Sequence, residues 1–411
     1  MSIIVQKYGG SSVADIDRIR AVGERVIRAR KEGHDVVVVV SAMGDTTDGL
    51  TAMAHELTPI PNPRELDLLL TAGERIAMSL LAIAVNAAGY AAASYTGSQA
   101  GIITDTRHGR ARIMDIRPGR IREALDRGAV VIVAGFQGVS TAADVTTLGR
   151  GGSDTTAVAL AAALGAEVCE IHTDVAGVYT ADPRIVPEAR MLHAVSYEEM
   201  LEMAAAGARV LQLRSVEYTR GSGVMLHVRS SFSDEAGTWV REEDERMEQA
   251  IISGVVHDTG EAKITVEAVP DRPGIAATIF RAVADEGINV DTIVQNVSKD
   301  GMTDVSFTVP KDDLPHAARV MEGVVKEIGA ARYTTDDGIA KVSLVGAGMK
   351  THPGVQADMF SALAEAGINI EMISTSSIRI TCVIRADEVE AAVKALHARF
   401  ALSDEAVVRE H

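Results

Sequence analysis

An internal repeat in the second half of this 411-residue chain restricts its fold more than any other sequence feature. One copy begins at Lys263 and the other at Lys341, and both show an apolar strand, a Pro-Gly turn, a phenylalanine and a Gly-Ile-Asn segment in that order. The interval from the Pro-Gly glycine to the Gly-Ile-Asn glycine is the same, 274–287 in one copy and 354–367 in the other. A period of about 80 residues is too long for a solenoid and predicts two small domains, each based on a ββαβ-type unit.

Strand and helix patterns alternate in the part of the chain before this repeat, as in a parallel α/β sheet. The valine run 36–40 is typical of a strand that helices cover on both faces. Strands are predicted at 2–7, 35–41, 91–96, 129–135, 168–173 and 224–229. Helices are predicted at 15–31, 65–87, 118–127, 153–164 and 196–211. The predicted fold class is therefore α/β, with a mainly parallel sheet sandwiched by helices and followed by the two small domains.

A charged segment at 241–248 (Arg-Glu-Glu-Asp-Glu-Arg-Met-Glu) separates the two parts of the chain and is typical of an exposed linker or helix. We expect a catalytic domain at 1–245 and small domains at 263–337 and 338–411. Residues 246–262 are a candidate strand partner of the last domain.

The formal net charge of −17 argues against a nucleic-acid surface, which needs a basic stripe. An anionic substrate must then meet positive charge and backbone amides that are concentrated at one site. The two cysteines, Cys169 and Cys382, lie far apart in apolar runs, which indicates reduced thiols and not a disulfide. With no signal-like N-terminus and no apolar run of membrane length, the expected location is the cytoplasm.

Residues 7–12 (Lys-Tyr-Gly-Gly-Ser-Ser) directly follow the first predicted strand. Gly9 and Gly10 let the backbone approach a ligand closely, and consecutive amides can form a nest that binds an anion. Lys7 would place an ammonium group against a phosphate. A plain strand–turn–helix corner with a solvent-facing lysine explains the same residues about equally well.

Residues 149–156 (Gly-Arg-Gly-Gly-Ser-Asp-Thr-Thr) give a more specific signal. A glycine-rich backbone leads into a helix N-terminus, where unpaired N–H groups and a partial positive charge favour a phosphate or carboxylate. Arg150 adds a guanidinium that can bind such a group in two places. The alternative is a capped helix after a flexible loop. No Walker sequence and no Gly-x-Gly-x-x-Gly after a strand is present, so two separate glycine loops must share the binding of phosphate.

Two acidic residues are weaker candidates. Asp174 ends a predicted strand, where a carboxylate could orient a lysine or a phosphate-bound metal, although an Asp-rich turn would look the same. Glu74, in the segment 71–75, could bind an ammonium group, although the dipole of a helix that starts there would alone favour an acid. The eleven histidines show no spacing typical of a metal site, and none is assigned.

Taken together, these segments resemble the aspartate kinases of the amino-acid kinase superfamily, and the resemblance runs essentially from end to end. The segments that carry it are 7–12, 41–48, 71–75, 96–101, 134–138 (Ala-Gly-Phe-Gln-Gly), 149–156 and 179–184. The repeats resemble paired ACT domains, with 271–274 (Asp-Arg-Pro-Gly) and 345–350 in family positions. The resemblance implies transfer of the ATP γ-phosphoryl group to L-aspartate, the first step towards lysine, threonine and methionine, with Mg²⁺ carried by the nucleotide.

The resemblance also implies roles for individual residues. Lys7 would neutralise charge on the transferred phosphoryl group, and Asp174 would orient Lys7. The residues implied for the nucleotide are Lys7, Gly9, Gly10, Ser41, Thr173, Asp174, Tyr179, Asp182, Arg184 and Arg209. The residues implied for aspartate are Thr47, Glu74, Arg150, Gly151, Gly152, Ser153 and Asp154. Arg209 replaces a lysine that is frequent in the family, which leaves its nucleotide contact open.

The ACT repeats imply feedback by lysine and/or threonine and at least a homodimer. The implied effector contacts are Asp271, Gly274, Ala276, Asn289, Asp291, Gln295, Asn369, Ile370 and Ser376. Ser377 stands where the family usually has glutamate, so the response to effectors could be altered. Met247 lies where some relatives begin a separately translated ACT-only subunit.

Two other interpretations stay open at this point. One is a different amino-acid kinase, acting on glutamate, N-acetylglutamate or a nucleoside monophosphate. The other is an inactive amino-acid sensor that has kept its ACT pair. The Phe-Gln-Gly segment and the repeats count against the first, and the presence of Lys7, Arg150 and Asp174 counts against the second.

Overall fold

A computed structural model describes residues 2–243, 251–296 and 300–404 of the chain. The described residues form two compact units. The first contains the chain up to Val178, Met191–Ala204 and the stretch that starts at Arg209, and the second contains Tyr179–Arg190, Ala205–Ala208 and the C-terminal part.

The first unit is built on an eight-stranded, mainly parallel sheet with the strand order β10-β12-β11-β9-β1-β2-β6-β3. These strands are β1 (Ile3–Tyr8), β2 (Asp35–Val40), β3 (Ala92–Tyr95), β6 (Val130–Ala134), β9 (Val168–Thr173), β10 (Ala194–Ser196), β11 (Leu226–Ser230) and β12 (Thr238–Arg241). Only the β11–β12 pair is antiparallel. A smaller sheet, in the order β5-β4-β7-β8, consists of β4 (Ile102–Thr104), β5 (Ile113–Ile116), β7 (Gln137–Ser140) and β8 (Val145–Thr147). Each of the six predicted strands agrees with these bounds to within about two residues.

Eight helices accompany these sheets in the described part of the unit. They are α1 (Ile16–Lys31), α2 (Thr46–Leu57), α3 (Pro63–Leu70), α4 (Ala72–Ala87), α5 (Gly119–Asp126), α6 (Gly152–Leu164), α7 (Tyr197–Ala205) and α8 (Leu213–Ser222). Side chains alternate across a strand, so β1 and β2 bury two faces. One face packs on α1 and α4, through residues such as Val38, Val26 and Leu81, and α6 covers the other.

Two helix predictions were wrong in detail. The helix predicted at 65–87 is interrupted at Thr71, whose carbonyl oxygen accepts a hydrogen bond from the Gln137 amide at 3.2 Å. The helix predicted at 196–211 ends at Ala205, because Gly207 adopts a left-handed conformation with a φ of 109° that stops a helix. The sequence analysis did not predict α2 or α8.

The helical stretch Pro63–Ala87 contains an 18-residue window with a mean hydropathy of 1.7, and by length and composition alone it could cross a membrane. The expectation that no stretch would reach this length was therefore wrong. Its second half, α4, buries Leu81 and Val85 in the core beside the main sheet, as the central helices of soluble proteins do.

The second unit contains two four-stranded antiparallel sheets. The first has the order β15-β16-β14-β17, from β14 (Glu261–Pro270), β15 (Ile293–Gln295), β16 (Met302–Pro310) and β17 (Arg332–Asp336), with helices α9 (Ile275–Asp285) and α10 (Leu314–Ile328). The second has the order β13-β18-β20-β19, from β13 (Gly254–Asp258), β18 (Ile339–Val345), β19 (Met372–Thr375) and β20 (Arg379–Arg385), with α11 (Val355–Glu365) and α12 (Val389–Arg399). Strand β13, which precedes the first repeat in the sequence, pairs with β18 of the second.

The two repeats have the same element order, but it is longer than the predicted ββαβ-type unit. Each runs strand, helix, strand, strand, helix, and a fourth strand completes each sheet: β17 in the first and β13 in the second. The Gly-Ile-Asn segments precede β15 and β19 and are not strands themselves. Gly274 and Gly354, the glycines of the Pro-Gly turns, take φ values of 100° and 111° and cap α9 and α11.

Candidate active site

The carboxyl ends of four neighbouring strands of the main sheet, β9, β1, β2 and β6, meet at the N-terminus of α6. In open α/β sheets this edge is where ligands bind. A cleft of about 340 Å³ lies there, and we call it the catalytic cleft. Its lining residues are Lys7, Gly9, Gly10, Ser41, Ala42, Gly44, Thr47, Glu74, Phe136, Gly149, Arg150, Gly151, Gly152, Ser153, Asp154, Thr173, Arg209, Val210 and Gln212.

Lys7 provides the buried positive charge of the cleft. Its Nζ atom lies 2.7 Å from Oδ1 of Asp154, and both side chains are about nine-tenths buried. The sequence analysis assigned the orientation of Lys7 to Asp174, but the structure places Asp154 at that distance. Asp174 is exposed and accepts a hydrogen bond from the Thr173 hydroxyl at 3.0 Å. The pairing with Asp154 spans 147 positions of the sequence, which is why no local motif predicts it.

Gly10 is required where the chain leaves β1, and Gly9 precedes it next to Lys7. A Cβ atom on Gly10 would lie 2.9 Å from the carbonyl oxygen of Ala42, too close for any larger residue. A Cβ atom on Gly9 would lie 3.4 Å from Nζ of Lys7. The two glycines therefore keep this turn against the segment after β2 and leave the space beside the Lys7 ammonium open.

The glycine loop, residues 149–152, runs directly into α6. Gly149 and Gly151 have φ values of 79° and 72°, in the left-handed region that favours glycine. Gly151 caps α6, and Ser153 and Asp154 in the first turn are buried. The first N–H groups of a helix have no partner within it, so this end of α6 presents donors and a partial positive charge to an anion. Arg150, in the same loop, has an exposed side chain.

Glu74 places a carboxylate in the cleft that is only 3% exposed. Its Oε1 atom accepts a hydrogen bond from the backbone N–H of Ala42 at 3.1 Å, whereas Oε2 is buried without a hydrogen-bond partner in the described structure. Burial raises the pKa of this carboxyl group from 4.5 to about 7. An unpartnered, buried carboxylate oxygen in a ligand cleft is suited to an ammonium group of a substrate.

The cleft brings together most of the residues that the sequence singled out for the nucleotide and for aspartate. Those that line it are Lys7, Gly9, Gly10, Ser41, Thr47, Glu74, Arg150, Gly151, Gly152, Ser153, Asp154, Thr173 and Arg209. Six lining residues were not proposed as site residues: Ala42, Gly44, Phe136, Gly149, Val210 and Gln212. Phe136 lies in the Phe-Gln-Gly segment, but no sequence motif marked Gln212, which caps a helix that was itself missed.

Three residues implied for the nucleotide, Tyr179, Asp182 and Arg184, belong to the second compact unit. The Arg184 guanidinium binds the Asp182 carboxylate in two places, with an Nη2–Oδ2 distance of 2.7 Å. This hydrogen bonding lowers the pKa of Asp182. Within that unit the segment Tyr179–Arg190 buries Ala181 and Val186 in the apolar core of the second ACT repeat.

A second cleft, of about 360 Å³, lies in the first ACT repeat, and we call it the regulatory cleft. It is formed by the end of β14, the start of α9, and parts of β15 and β16. Among the residues implied for an effector, four line it: Asp271, Gly274, Ala276 and Gln295. The exposed Asn289 and Asp291 do not. Asp291 instead accepts a hydrogen bond from Nζ of the buried Lys341 at 2.6 Å.

The candidates in the second repeat, Asn369, Ile370 and Ser376, lie just before and after β19. Asn369 and Ser376 are exposed, and the Ser376 hydroxyl accepts a long hydrogen bond from the Ile378 N–H at 3.4 Å. Ser377 is exposed as well. Met247 lies outside the described residues.

Comparison with family models agrees with this architecture. Residues 2–230 match the amino acid kinase family, and residues 264–325 and 342–400 each match an ACT domain. The fold and the site thus define an amino-acid kinase with two C-terminal ACT domains, which confirms the predicted fold class.

Curated relatives identify the family more closely. The chain is 60% identical over 415 residues to the aspartokinase of Mycolicibacterium smegmatis and 56% identical over 415 residues to that of Corynebacterium glutamicum, and in both cases 99% of each chain is covered. The chain belongs to the aspartokinase family. It is accordingly a phosphotransferase with allosteric ACT domains, as the sequence analysis predicted.

Solved structures agree with this assignment. Escherichia coli aspartokinase III, in a complex with aspartate and ADP, gives a TM-score of 0.83 at 25% identity, with 97% of this chain and 100% of that chain covered. Aspartate kinase from Synechocystis is 43% identical with a TM-score of 0.55, covering 97% of this chain and 69% of that one.

Proposed function

We propose that this chain phosphorylates the β-carboxylate of L-aspartate with ATP and forms ADP and 4-phospho-L-aspartate. The observation that supports this most directly is the arrangement of charge in the catalytic cleft. Lys7, Arg150, Arg209 and the N-terminus of α6 supply positive charge or N–H donors. Of the two buried carboxylates in the cleft, Asp154 pairs with Lys7, and Glu74 keeps one oxygen without a hydrogen-bond partner among the described residues. Such a site suits an amino acid with one ammonium and two carboxylate groups beside a polyphosphate.

The chemistry that this site must support needs no protein nucleophile. A carboxylate oxygen of aspartate forms the new bond to the γ-phosphorus, and the bond from that phosphorus to the bridging oxygen of ADP breaks. The attacking carboxylate carries no proton, so no general base is required. Catalysis then depends on position and on neutralisation of the charge of the phosphoryl group.

Lys7 is the residue placed to neutralise that charge. Its ammonium is buried and held by Asp154, so little conformational freedom is left to lose when a phosphoryl group arrives. Gly9, Gly10 and the first N–H groups of α6 would bind phosphate oxygens. In this proposal Asp154 orients the Lys7 ammonium, the role that the sequence suggested for Asp174.

Aspartate would be held from two sides. Arg150 and the glycine loop would bind a carboxylate, Glu74 would bind the ammonium group, and Thr47 would add a hydroxyl. E. coli aspartokinase III binds aspartate in its solved complex, which supports the same substrate here.

ATP use is supported by the ADP bound in the same E. coli complex. We propose nucleotide contacts for Ser41, Thr173, Asp174 and Arg209. The nucleotide contacts of Tyr179, Asp182 and Arg184, which belong to the second compact unit, stay predictions from the sequence. A magnesium ion bound to the nucleotide would supply further positive charge to its phosphates. We assign no protein ligands to this ion, since no group of three or more His, Cys, Asp or Glu residues that could hold a metal occurs among the residues that the structure describes.

We further propose feedback by lysine and/or threonine, through the regulatory cleft. Asp271 and the α9 N-terminus beside Gly274 and Ala276 offer groups that complement an ammonium and a carboxylate, respectively. A structure of E. coli aspartokinase III with lysine and aspartate supports lysine as one candidate. The enzyme would then act in the cytoplasm at the start of lysine, threonine and methionine synthesis, as a homo-oligomer or with an ACT-only subunit that begins at Met247.

The experiment that tests the substrate is a hydroxamate assay of the purified chain with ATP and one acid at a time: aspartate, glutamate or N-acetylglutamate. Turnover with aspartate at least a hundredfold above the others is expected. Turnover with another acid, or with none, would refute the proposal and identify either a different amino-acid kinase or an inactive sensor.

The effectors require a separate measurement. Aspartate-dependent ADP release is followed with lysine, with threonine, with both and with neither. Inhibition that is lost in Asp271→Asn supports the regulatory cleft, whereas equal inhibition of this variant and the original chain places the effector elsewhere.

A further inference from the structure

The start of the glycine loop is held by a guanidinium group from α8. Nη1 of Arg214 donates to the carbonyl oxygen of Leu148, and Nη2 donates to that of Ala111, both at 2.9 Å. Leu148 directly precedes the glycine loop, and Ala111 belongs to the neighbouring segment, whose N–H donates to the Thr147 carbonyl oxygen at 2.9 Å. One planar side chain therefore connects α8 to the two segments from which the loop departs.

Arg214 uses its donors on these carbonyl groups and not on an acid. Among the described residues, no carboxylate lies within the 4 Å distance of an ion pair with it. Its side chain is half-buried, and this burial lowers the pKa of the guanidinium. A positive group taken partly out of water without a carboxylate in direct contact is costly, although Asp105 and Glu217 lie near enough to act on its charge. Its geometry is therefore suited to fixing the backbone and not to gaining stability from a salt bridge.

Asp67 contacts the same two segments, but it accepts hydrogen bonds from them, whereas Arg214 donates to their carbonyl oxygens. This carboxylate on α3 is 1% exposed. It accepts hydrogen bonds from the Thr147 hydroxyl at 2.5 Å and from the Gly109 N–H at 3.1 Å, and Nδ1 of His108 lies 2.7 Å from it. The Asp67 anion thus binds donors, and the Arg214 cation binds acceptors, in the segments next to the loop's first residues.

The far end of the loop also rests on the start of α8. A Cβ atom on Gly151 would lie 2.0 Å from Cγ of Gln212, so this glutamine side chain packs directly on the backbone of the loop. Gln212 is the N-cap residue of α8, two positions before Arg214. Both ends of the loop are therefore fixed by one short stretch of the chain.

We propose that Arg214, together with Asp67, is a positioning residue that sets the geometry of the glycine loop for aspartate. It touches no part of the catalytic cleft itself but holds the backbone that carries Arg150 and leads into α6. This inference rests on the proposed function, in which that loop binds the substrate carboxylate. Removal of Arg214 should weaken aspartate use much more than nucleotide binding.

The test compares Arg214→Ala with Arg220→Ala, a matched change on the same helix. Arg220 is exposed and contacts only a surface glutamate, Glu198, at 3.0 Å among the described residues. For each variant the KM for aspartate and kcat are measured at saturating ATP, and ATP binding without aspartate is measured by calorimetry. We expect the KM for aspartate to rise at least tenfold in Arg214→Ala, and ATP affinity to change less than twofold in both variants.

Addition of guanidinium chloride at tens of millimolar, far below denaturing concentrations, gives a readout that a purely structural role would not move. We expect it to restore part of the aspartate KM of Arg214→Ala and to leave Arg220→Ala unchanged, because the free ion can donate to both vacated carbonyls. A wild-type aspartate KM, an equal loss of ATP affinity, or no rescue in a folded variant would overturn the proposal.

A folding defect is handled with Arg214→Lys, in which an ammonium replaces the planar fork. If Arg214→Ala shows no cooperative thermal transition, the lysine variant decides: we expect a several-fold higher KM for aspartate, and a wild-type KM would refute the inference. A failure of the proposed function would give a different result from a failure of this inference, because the unaltered chain would then not phosphorylate aspartate.

Discussion

The raised pKa of Glu74 makes a prediction about how pH controls both stability and aspartate binding. Burial brings the pKa of this carboxyl group from 4.5 to about 7 in the folded chain. The folded state therefore favours the protonated form. Its stabilisation by that proton is fully present below pH 4.5 and is lost as the pH rises through 7.

The change that isolates this effect is Glu74→Gln, which keeps the oxygen that accepts from the Ala42 N–H but cannot ionise. A pKa difference of about 2.5 units corresponds to about 3 kcal/mol, so the variant should gain up to that much in its free energy of unfolding, relative to the original chain, between pH 4.5 and 8. Urea unfolding at several pH values measures the difference. A difference that does not grow with pH would refute the reasoning.

Binding should respond to pH in the opposite direction. If the ionised carboxylate of Glu74 binds the substrate ammonium, aspartate affinity should increase about tenfold per pH unit up to 7 and then level off. Calorimetry at pH 6 in two buffers of different ionisation enthalpy should detect the release of close to one proton per aspartate bound. Glu74→Gln should bind aspartate weakly, without that release.

The matched control is Glu65→Gln, because Glu65 also lies in the first turn of a helix but has an exposed side chain paired with Arg64. It should reproduce the pH response of the original chain. The same proton release in Glu74→Gln would show that another group titrates, and the assignment of Glu74 to the substrate ammonium would be wrong.

Three other contacts in the structure lead to predictions of their own. Lys7→Ala should lower kcat by about 10²–10³, the typical effect of removing one group that stabilises charge in the transition state, whereas Lys31→Ala, at an exposed lysine, should leave kcat unchanged. Single-turnover ADP formation measures both variants, and equal rates would exclude the charge role of Lys7. Gly151→Ala should destabilise the fold by at least about 1–2 kcal/mol and raise the KM for aspartate, because the left-handed φ and the close packing of Gly151 exclude a methyl group. Gly221→Ala, in open space on α8, should instead raise the free energy of unfolding by about 0.4–1 kcal/mol, and thermal unfolding measures both variants. Lys341→Met should cost about 3–5 kcal/mol in denaturant unfolding, since it leaves Asp291 and the largely buried Glu261 without their cation, and an unchanged midpoint would contradict this.

The sequence could predict the central strands because their burial on both faces imposes uninterrupted apolar runs such as 36–40. Helices with an apolar stripe and clear ends, such as α1, were equally accessible. The break at Thr71 could not be predicted from the sequence, because it depends on Gln137, a residue on a distant strand that donates a hydrogen bond to the Thr71 carbonyl oxygen. Helix α8 was missed although Gly223 caps its end in a left-handed conformation, because its start at Gln212 carries no side-chain cap that a motif would show.

The site was predictable where a ligand demands local backbone geometry. Gly9, Gly10 and the glycine loop could be singled out because close approach and left-handed φ values restrict the residue type. The residue that pairs with Lys7 and the residues that hold the glycine loop could not be predicted from the sequence. Asp154, Asp67 and Arg214 act through contacts that only the sheet order creates, and each would pass for an ordinary helix residue in the sequence.

The position of β13 has a consequence for how the chain can be made and divided. This strand emerges before the whole first ACT repeat but pairs with β18, with Gly254 opposite Val345. The first repeat is thus an insertion between two strands of its neighbour's sheet. At typical rates of synthesis of about 5–20 residues per second, β13 must wait roughly 5–20 s for its partner to leave the ribosome.

The same insertion means that the second repeat has no contiguous gene segment of its own. A fragment that began at Ile339 would lack β13 and expose the edge of β18, with a row of unpaired backbone groups. A viable fragment must start upstream of Gly254 and carry both repeats together. Recombination or truncation in this region would therefore transfer the regulatory pair as one inherited block.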